Sequence, residues 1–437
     1  MVDDIERRTM RRVMWRLIPF MGLCFTISWL DRTNLAFAAL QMNAHLGFSA
    51  TVFGAGAGVF FLGYIICEVP SNILLSRVGA RLWIARIMIT WGLVAAATAF
   101  ITGPHSFYLC RFLLGAAEGG FYPGAIYFFS LWTPNRYRAR IYGRFGSFGA
   151  IALVIAGPLA SQLLSLDQTA HLAGWQWLFL LEGIPAVLLG IVCLLYLRDN
   201  PASVKWLPAD EREWLTKTLE SDTRSNVDYH ANALKVLFDP RVIILAMCWF
   251  AIGLGLYSIS LWLPLILKEF RLATTTIGYL TVLPGLAGMV GLLLWPWHAD
   301  RTRDRRWHLV IAGVLASVGL LIAAWQPTSL PIVMAGMCVT YFGCSSSFPL
   351  LVTWPTSALT GTAAASATAM ITAVGTSSGY FGSQLVGILR DYTGDFRSAV
   401  AVISALIFVC PVVLSLHGRF LNESQKHMHG DAVKDAS

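Results

Sequence analysis

The chain has 437 residues, 56% hydrophobic and only 13% charged, with a formal net charge of +8. A soluble globular protein carries about 25% charged residues, so this deficit excludes a soluble domain and, with it, nucleic-acid binding. The basic residues lie between apolar runs, where they read as topology signals and contacts for anionic lipid headgroups.

Apolar runs of about 20 residues, long enough to cross a bilayer as helices, recur between short polar breaks. The spacing predicts twelve spans: 14–38, 52–75, 83–102, 106–132, 141–164, 176–197, 241–267, 276–298, 308–326, 331–353, 365–389 and 396–418. The basic start (Arg7, Arg8, Arg11, Arg12, Arg16) and the Ala36-Phe37-Ala38 triplet imitate a signal peptide. Asp31-Arg32 separates the run from that triplet and many spans follow, so no cleavage is expected. Asp31 and Arg32 instead put two charges inside span 1, with Asn34 close by. Adjacent residues point about 100° apart on a helix and cannot both serve one partner.

In span 2, Tyr64 precedes Glu68 by one turn, as its partner or as a group facing a substrate; Glu68 reads as structural. Arg77, Arg81 and Trp83 follow this span. Span 4 carries Arg111 and Glu118, seven apart and therefore on one face. A bare charge near the bilayer centre costs roughly 2.5–3.5 kcal/mol and is tolerated where it meets a wet cavity or a partner, so such residues mark an ion or substrate path by default. Glu182 is expected to pin the top of span 6.

Residues 198–240 form the one long polar segment, with Pro201, Pro208 and mixed charges. A short surface helix is expected from near Pro208. This linker divides an N-terminal six-span bundle (1–197) from a C-terminal one (241–437). Arg301, Arg305 and Trp307 repeat Arg77, Arg81 and Trp83 at an offset of 224 residues. Two pseudo-symmetric halves related by a parallel repeat follow, with a substrate held near the midplane between them. Arginines crowd one set of loops, while the other set holds only Lys268, Arg271, Arg390 and Arg397. That bias places both termini in the cytoplasm.

Spans 7, 10 and 11 carry no deep acid or base. They offer Trp354 for stacking and Thr376 among several Ser and Thr residues, which also suit close helix packing. The eight cysteines are scattered without a CxxC pair, and the nine histidines show no ligand spacing. Neither metal nor cofactor is expected. No GxxxxGK[ST] loop is present, so energy must come from a gradient.

Several motifs together resemble the major facilitator superfamily and, within it, the anion:cation symporters for tartrate, phthalate, hydroxyphenylacetate and sugar acids. They are DRTN (Asp31–Asn34), GYIICEVPSN (Gly63–Asn72), RVGARLWIARIMITWG (Arg77–Gly92), RFLLGAAEGGFYPG (Arg111–Gly124) and WLFLLEGIPA (Trp177–Ala186). WHADRTRDRRWH and LTGTAAASATAMITAVG extend the likeness into the second half. The chain departs from the family's loop motif, where Ser76 replaces the Asp that the second copy keeps as Asp300. It also has Thr376-Ser377-Ser378-Gly379 in place of Asn-x-Gly-Gly, and Gly149-Ala150 where a sugar-acid carrier can present Gln. Lost amides favour a less hydroxylated or aromatic acid.

The resemblance implies an all-α, twelve-helix major facilitator fold in a bacterial inner membrane. The expected activity is proton-coupled import of a small organic carboxylate by a monomer, the proton being the coupling ion. An exchanger or uniporter on the same fold is the alternative, and a polytopic membrane enzyme or sensor a remote one. Arg111 and Arg32 are candidates for the substrate's carboxylate, because a guanidinium fork matches it with two parallel hydrogen bonds. Arg111 could equally pair with a carboxylate on a neighbouring helix. Glu118 and Asp31 are the candidate proton carriers; Tyr64, Asn34, Trp354 and Thr376 are further candidate contacts. Arg77, Arg81, Asp300, Arg301 and Arg305 are expected to latch cytoplasmic helix ends. The charged groups are expected to line an aqueous chamber.

Overall fold

A computed structural model describes residues 2–224, 236–326, 328–359, 361–418 and 421. Residues 225–235 of the expected linker and nearly all of the expected C-terminal tail lie outside the described residues. The described chain is helical, without strands. The first half holds α1 (Val2–Leu46), α2 (Ala50–Val78), α3 (Ala80–Ala97), α4 (Pro104–Glu118), α5 (Phe121–Ser130), α6 (Asn135–Leu164) and α7 (Gly174–Tyr196). A linker helix follows, α8 (Ala209–Arg224). The second half holds α9 (Pro240–Lys268), α10 (Thr274–Leu280), α11 (Val282–Thr302), α12 (Arg305–Trp325), α13 (Leu330–Ala358), α14 (Gly361–Thr393) and α15 (Arg397–His417).

Helical structure stands at each of the twelve expected spans, and among the described residues ten stretches are long and apolar enough to cross a membrane. Of the other two, α14 is rich in Gly, Ser and Thr, which lowers its apolarity. The other departs from expectation: span 4 is not one helix over 106–132 but two, α4 and α5. The break lies at Gly119-Gly120, where Gly120 takes a left-handed φ of +94°. A side chain there would be strained and would collide with Ser71 Oγ, so only glycine fits. Glu118 thereby becomes the last residue of a half-helix, a construction found where membrane helices line binding sites.

The fold divides into two units: residues 1–38, 62–156 and 162–227, and residues 39–61, 157–161 and 228–437. In the first, α3 and α7 cross at Gly92 and Gly183. A Cβ on either glycine would come within 2.7 Å of the other's carbonyl oxygen, so the two backbones touch, as small residues permit. The linker helix docks on the same unit. Trp206 stacks on Trp132 at 5.6 Å, and Glu211 accepts a 2.9 Å hydrogen bond from Arg12.

The repeated loops are built differently in the two units. In the second, Asp304 caps α12 by accepting from the Trp307 N–H at 3.2 Å, and Asp300 pairs with Arg305 at 3.3 Å. The first copy has Ala80 where the second has Asp304. There the carboxylate of Asp199, which follows α7, accepts from the Arg81 N–H at 2.7 Å. In the second unit, Asp391 at the end of α14 accepts from the Ala50 and Thr51 N–H groups at 3.1 and 2.7 Å. It satisfies orphan donors that a helix start leaves open.

Candidate functional site

Four helices of the first unit converge on a buried charged cluster. α1 supplies Ser28, Asp31, Arg32 and Asn34; α4 supplies Arg111 and Glu118; α3 supplies Trp91 and α7 Glu182. Asp31, Asn34, Arg111, Glu118 and Glu182 are all buried. Arg32 alone keeps appreciable exposure, 24% of its side chain.

The pairs are crossed between helices. Arg32 Nε lies 2.9 Å from Glu118 Oε1, and the Ser28 hydroxyl donates to the same oxygen at 2.5 Å. The Arg32 guanidinium also lies over the Tyr64 ring, 4.9 Å from its centroid, where a cation is attracted to the π face. Arg111 lies within electrostatic reach of both Asp31 and Glu118. The Trp91 indole faces Asp31.

Pairing is incomplete. Glu118 Oε2, Asp31 Oδ2, Asn34 Nδ2 and both Glu182 oxygens are buried and have no hydrogen-bond partner among the described residues. A buried polar atom without a partner costs about 1–3 kcal/mol, more when charged. A wholly structural ion-pair network would leave few such atoms. These oxygens can hold protons; the guanidiniums can hold an anion.

Within the first unit these groups do not line an open surface as expected: Asp31, Arg111 and Glu118 are buried, and of the four charged groups on α1 and α4 only Arg32 keeps an exposed part. Glu182 is buried on α7 beside the Asn34 amide and the Asp31 carboxylate, with neither oxygen in a well-formed hydrogen bond among the described residues. Tyr64 is buried under Arg32. Glu68 is half-buried on α2, and its carbonyl accepts from the Asn72 side chain.

Trp354 and Thr376 belong to the second unit. Trp354 is 1% exposed, with Arg241 lying 5.9 Å from its ring centroid; it packs inside the unit rather than offering an open face for stacking. Thr376 is half-buried on α14. Of the loop residues, Arg77 and Arg301 are exposed, Arg81 is half-buried and Arg305 is buried. Arg301 lies over Trp297 at 5.5 Å.

Some participants carry no legible sequence signal. Ser28 is one serine among many in apolar helices, and Asp199 sits in a polar linker. His298 and His308 look dispersed, yet the reversal between α11 and α12 brings His298 Nδ1 within 2.7 Å of His308 Nε2. The second unit also holds a 460 Å³ cavity lined by Lys268, Glu269, Arg390 and Asp391. Its charges are engaged by the protein: Lys268 donates to the Leu40 carbonyl, Arg390 pairs with Glu269 at 3.0 Å, and Asp391 caps α2.

The sequence matches the Major Facilitator Superfamily over residues 21–383 and 265–432. It is 42% identical over 424 residues to the "Putative tartrate transporter" of Agrobacterium vitis, covering 97% of this chain and 98% of that protein. It is 41% identical over 407 residues to the "Quinolone resistance transporter" of Acinetobacter baumannii, covering 92% and 93%. Among solved structures it superposes on the inward-open xylose transporter XylE from E. coli with a TM-score of 0.75 at 15% identity, over 94% of this chain and 99% of that one. At that identity the likeness concerns the fold alone.

Proposed function

Because the chain belongs to the Major Facilitator Superfamily, and is therefore a membrane transporter rather than an enzyme, we propose that it is a proton-coupled symporter for a small organic carboxylate. The substrate is an aromatic or hydroxy acid, imported across the bacterial inner membrane by a monomer with both termini in the cytoplasm. The observation that carries this reading is the Arg32–Glu118 pair at 2.9 Å, buried but for Arg32, with Glu118 Oε2 left without a donor among the described residues.

A substrate carboxylate and Glu118 compete for one guanidinium. Two unit charges at 4 Å interact by about 4 kcal/mol at an effective dielectric of ~20. An anion that takes Arg32 removes that stabilisation, and a proton on Glu118 offsets the loss. Anion and proton then load together, which is the coupling that symport requires. Asp31 and Arg111 form a second acid–base couple of the same kind, deeper in the unit. Arg111 gives the anion a second fork, and Tyr64 and Asn34 border the two couples. Arg77, Arg81, Asp300, Arg301 and Arg305 serve the change of state at the cytoplasmic helix ends. The relative named for tartrate, a hydroxy acid with two carboxylates, supports an anionic substrate. The relative named for quinolone resistance makes direction and substrate breadth worth testing.

Exchange without a net proton is the competing reading, since Arg32 could swap Glu118 for a substrate and back. Reconstituted protein in liposomes with an imposed inward pH gradient separates the two. Labelled tartrate and aromatic acids should accumulate above equilibrium and leak out when a protonophore is added. Uptake indifferent to the gradient would leave exchange or uniport.

A further inference from the structure

Glu182 is a buried acid that this coupling scheme does not use. The close crossing of α3 and α7 at Gly92 and Gly183 fixes its level, one residue before the contact. Trp91 stands one residue before Gly92, so one crossing delivers both side chains to the α1 face that carries Asp31 and Asn34. Glu182 is 5% exposed, and neither carboxyl oxygen has a hydrogen-bond partner among the described residues.

The charges around it do not balance. The Asn34 amide and the Asp31 carboxylate lie beside Glu182, and neither of its oxygens meets a guanidinium at hydrogen-bond distance among the described residues. On α4, Arg111 lies within electrostatic reach of both Asp31 and Glu118. On α1, Arg32 is engaged with Glu118. Glu68, half-buried on α2, also draws on Arg32 and adds a further acid to the same side. α3 contributes the neutral Trp91. The buried acids Asp31, Glu118 and Glu182 thus outnumber the guanidiniums Arg32 and Arg111. An ionised Glu182 would be a surplus negative charge facing Asp31 at membrane depth. Leaving a buried charge uncompensated costs about 3–5 kcal/mol, whereas a buried carboxyl escapes that cost by binding a proton.

We propose that Glu182 carries a standing proton that makes the buried cluster electrically neutral, separate from the proton exchanged at Glu118 and Asp31. The standing proton follows from packing and charge alone. Its consequence, that Glu182 is not counted in the proton-to-substrate ratio, rests on the symport reading above. In the cycle, Glu182 is a positioning residue: it presents a neutral hydrogen-bonding group to Asn34 and Asp31 and leaves Asp31 for Arg111.

Infrared difference spectroscopy on the full chain in lipid nanodiscs tests this at neutral pH. The spectrum of wild type minus Glu182→Gln should show one protonated-carboxyl C=O band lost in the variant. In liposomes the variant should keep the wild-type proton-to-substrate ratio, whatever its rate. No lost band, or a lowered ratio, overturns the proposal. If the variant fails to fold, labelling of wild type with an apolar carbodiimide decides, because that reagent attacks protonated carboxyls. Glu182 labelled to the same extent at pH 6 and pH 8 supports the standing proton. Labelling that is absent, or that vanishes at pH 8, contradicts it. A lost band in a protein that moves no protons would overturn the symport reading and leave the standing proton in place.

Discussion

Arg32 of α1 and Glu118 at the end of α4 form an ion pair at 2.9 Å across 86 residues of sequence. Glu118 ends a half-helix at a glycine break, and its carboxylate meets Arg32 and Ser28 of α1. The cation it meets is also the most exposed member of the cluster. On the proposed reading, an anion arriving at Arg32 would act directly on Glu118.

Breaking this pair from one side should be costly. Arg32→Met leaves Glu118 buried without its cation. The expected loss of stability is at the lower end of about 3–5 kcal/mol, because Arg32 keeps 24% exposure. The double variant Arg32→Met/Glu118→Gln should recover most of it. Thermal unfolding of wild type, the two single variants and the double variant measures both, and an additive double variant would mean the two residues do not interact.

Arg111→Lys replaces a planar fork with a single ammonium. A lost hydrogen bond to a charged group is worth about 1.5–3 kcal/mol, or roughly 10- to 150-fold in affinity. Binding measured on detergent-solubilised protein should weaken by that factor while the protein stays folded. Unchanged affinity would restrict Arg111 to pairing with Asp31.

Ser28→Ala removes the 2.5 Å hydrogen bond to Glu118 Oε1. The variant should fold, with a stability loss of about 1–3 kcal/mol, and should accumulate less substrate under the same pH gradient. Wild-type accumulation would mean that the hydroxyl only fills space beside the pair.

Asp199→Ala should destabilise the start of α3 by about 1 kcal/mol, the usual cost of losing a helix cap. Asp199→Asn should lose less, because an amide oxygen can still accept from the Arg81 N–H. Melting temperatures of the two variants check the order. Equal values would show that the 2.7 Å contact contributes little.

Twelve apolar runs and the paired loop motif make the all-helical fold legible in the sequence, because hydropathy reports directly on burial in lipid. Asp31, Arg32, Arg111 and Glu118 are equally visible, since charge at membrane depth is costly. Their pairing is not. Spacing places Arg111 and Glu118 on one face of α4, but it does not tell that α1 brings Arg32 to Glu118. Glu182 looked like a peripheral anchor because its depth depends on the Gly92–Gly183 crossing, a contact between distant segments. Asp199 was hidden for a similar reason: its place in the first loop copy is evident only once the chain after α7 folds back onto α3.

The most direct test of the account is proton-driven accumulation by Glu118→Gln, measured beside counterflow in the same liposomes. The glutamine keeps shape and burial but cannot take up or release a proton. The account predicts that accumulation under a pH gradient falls to the equilibrium level while counterflow of labelled substrate continues. Accumulation at the wild-type level would contradict it.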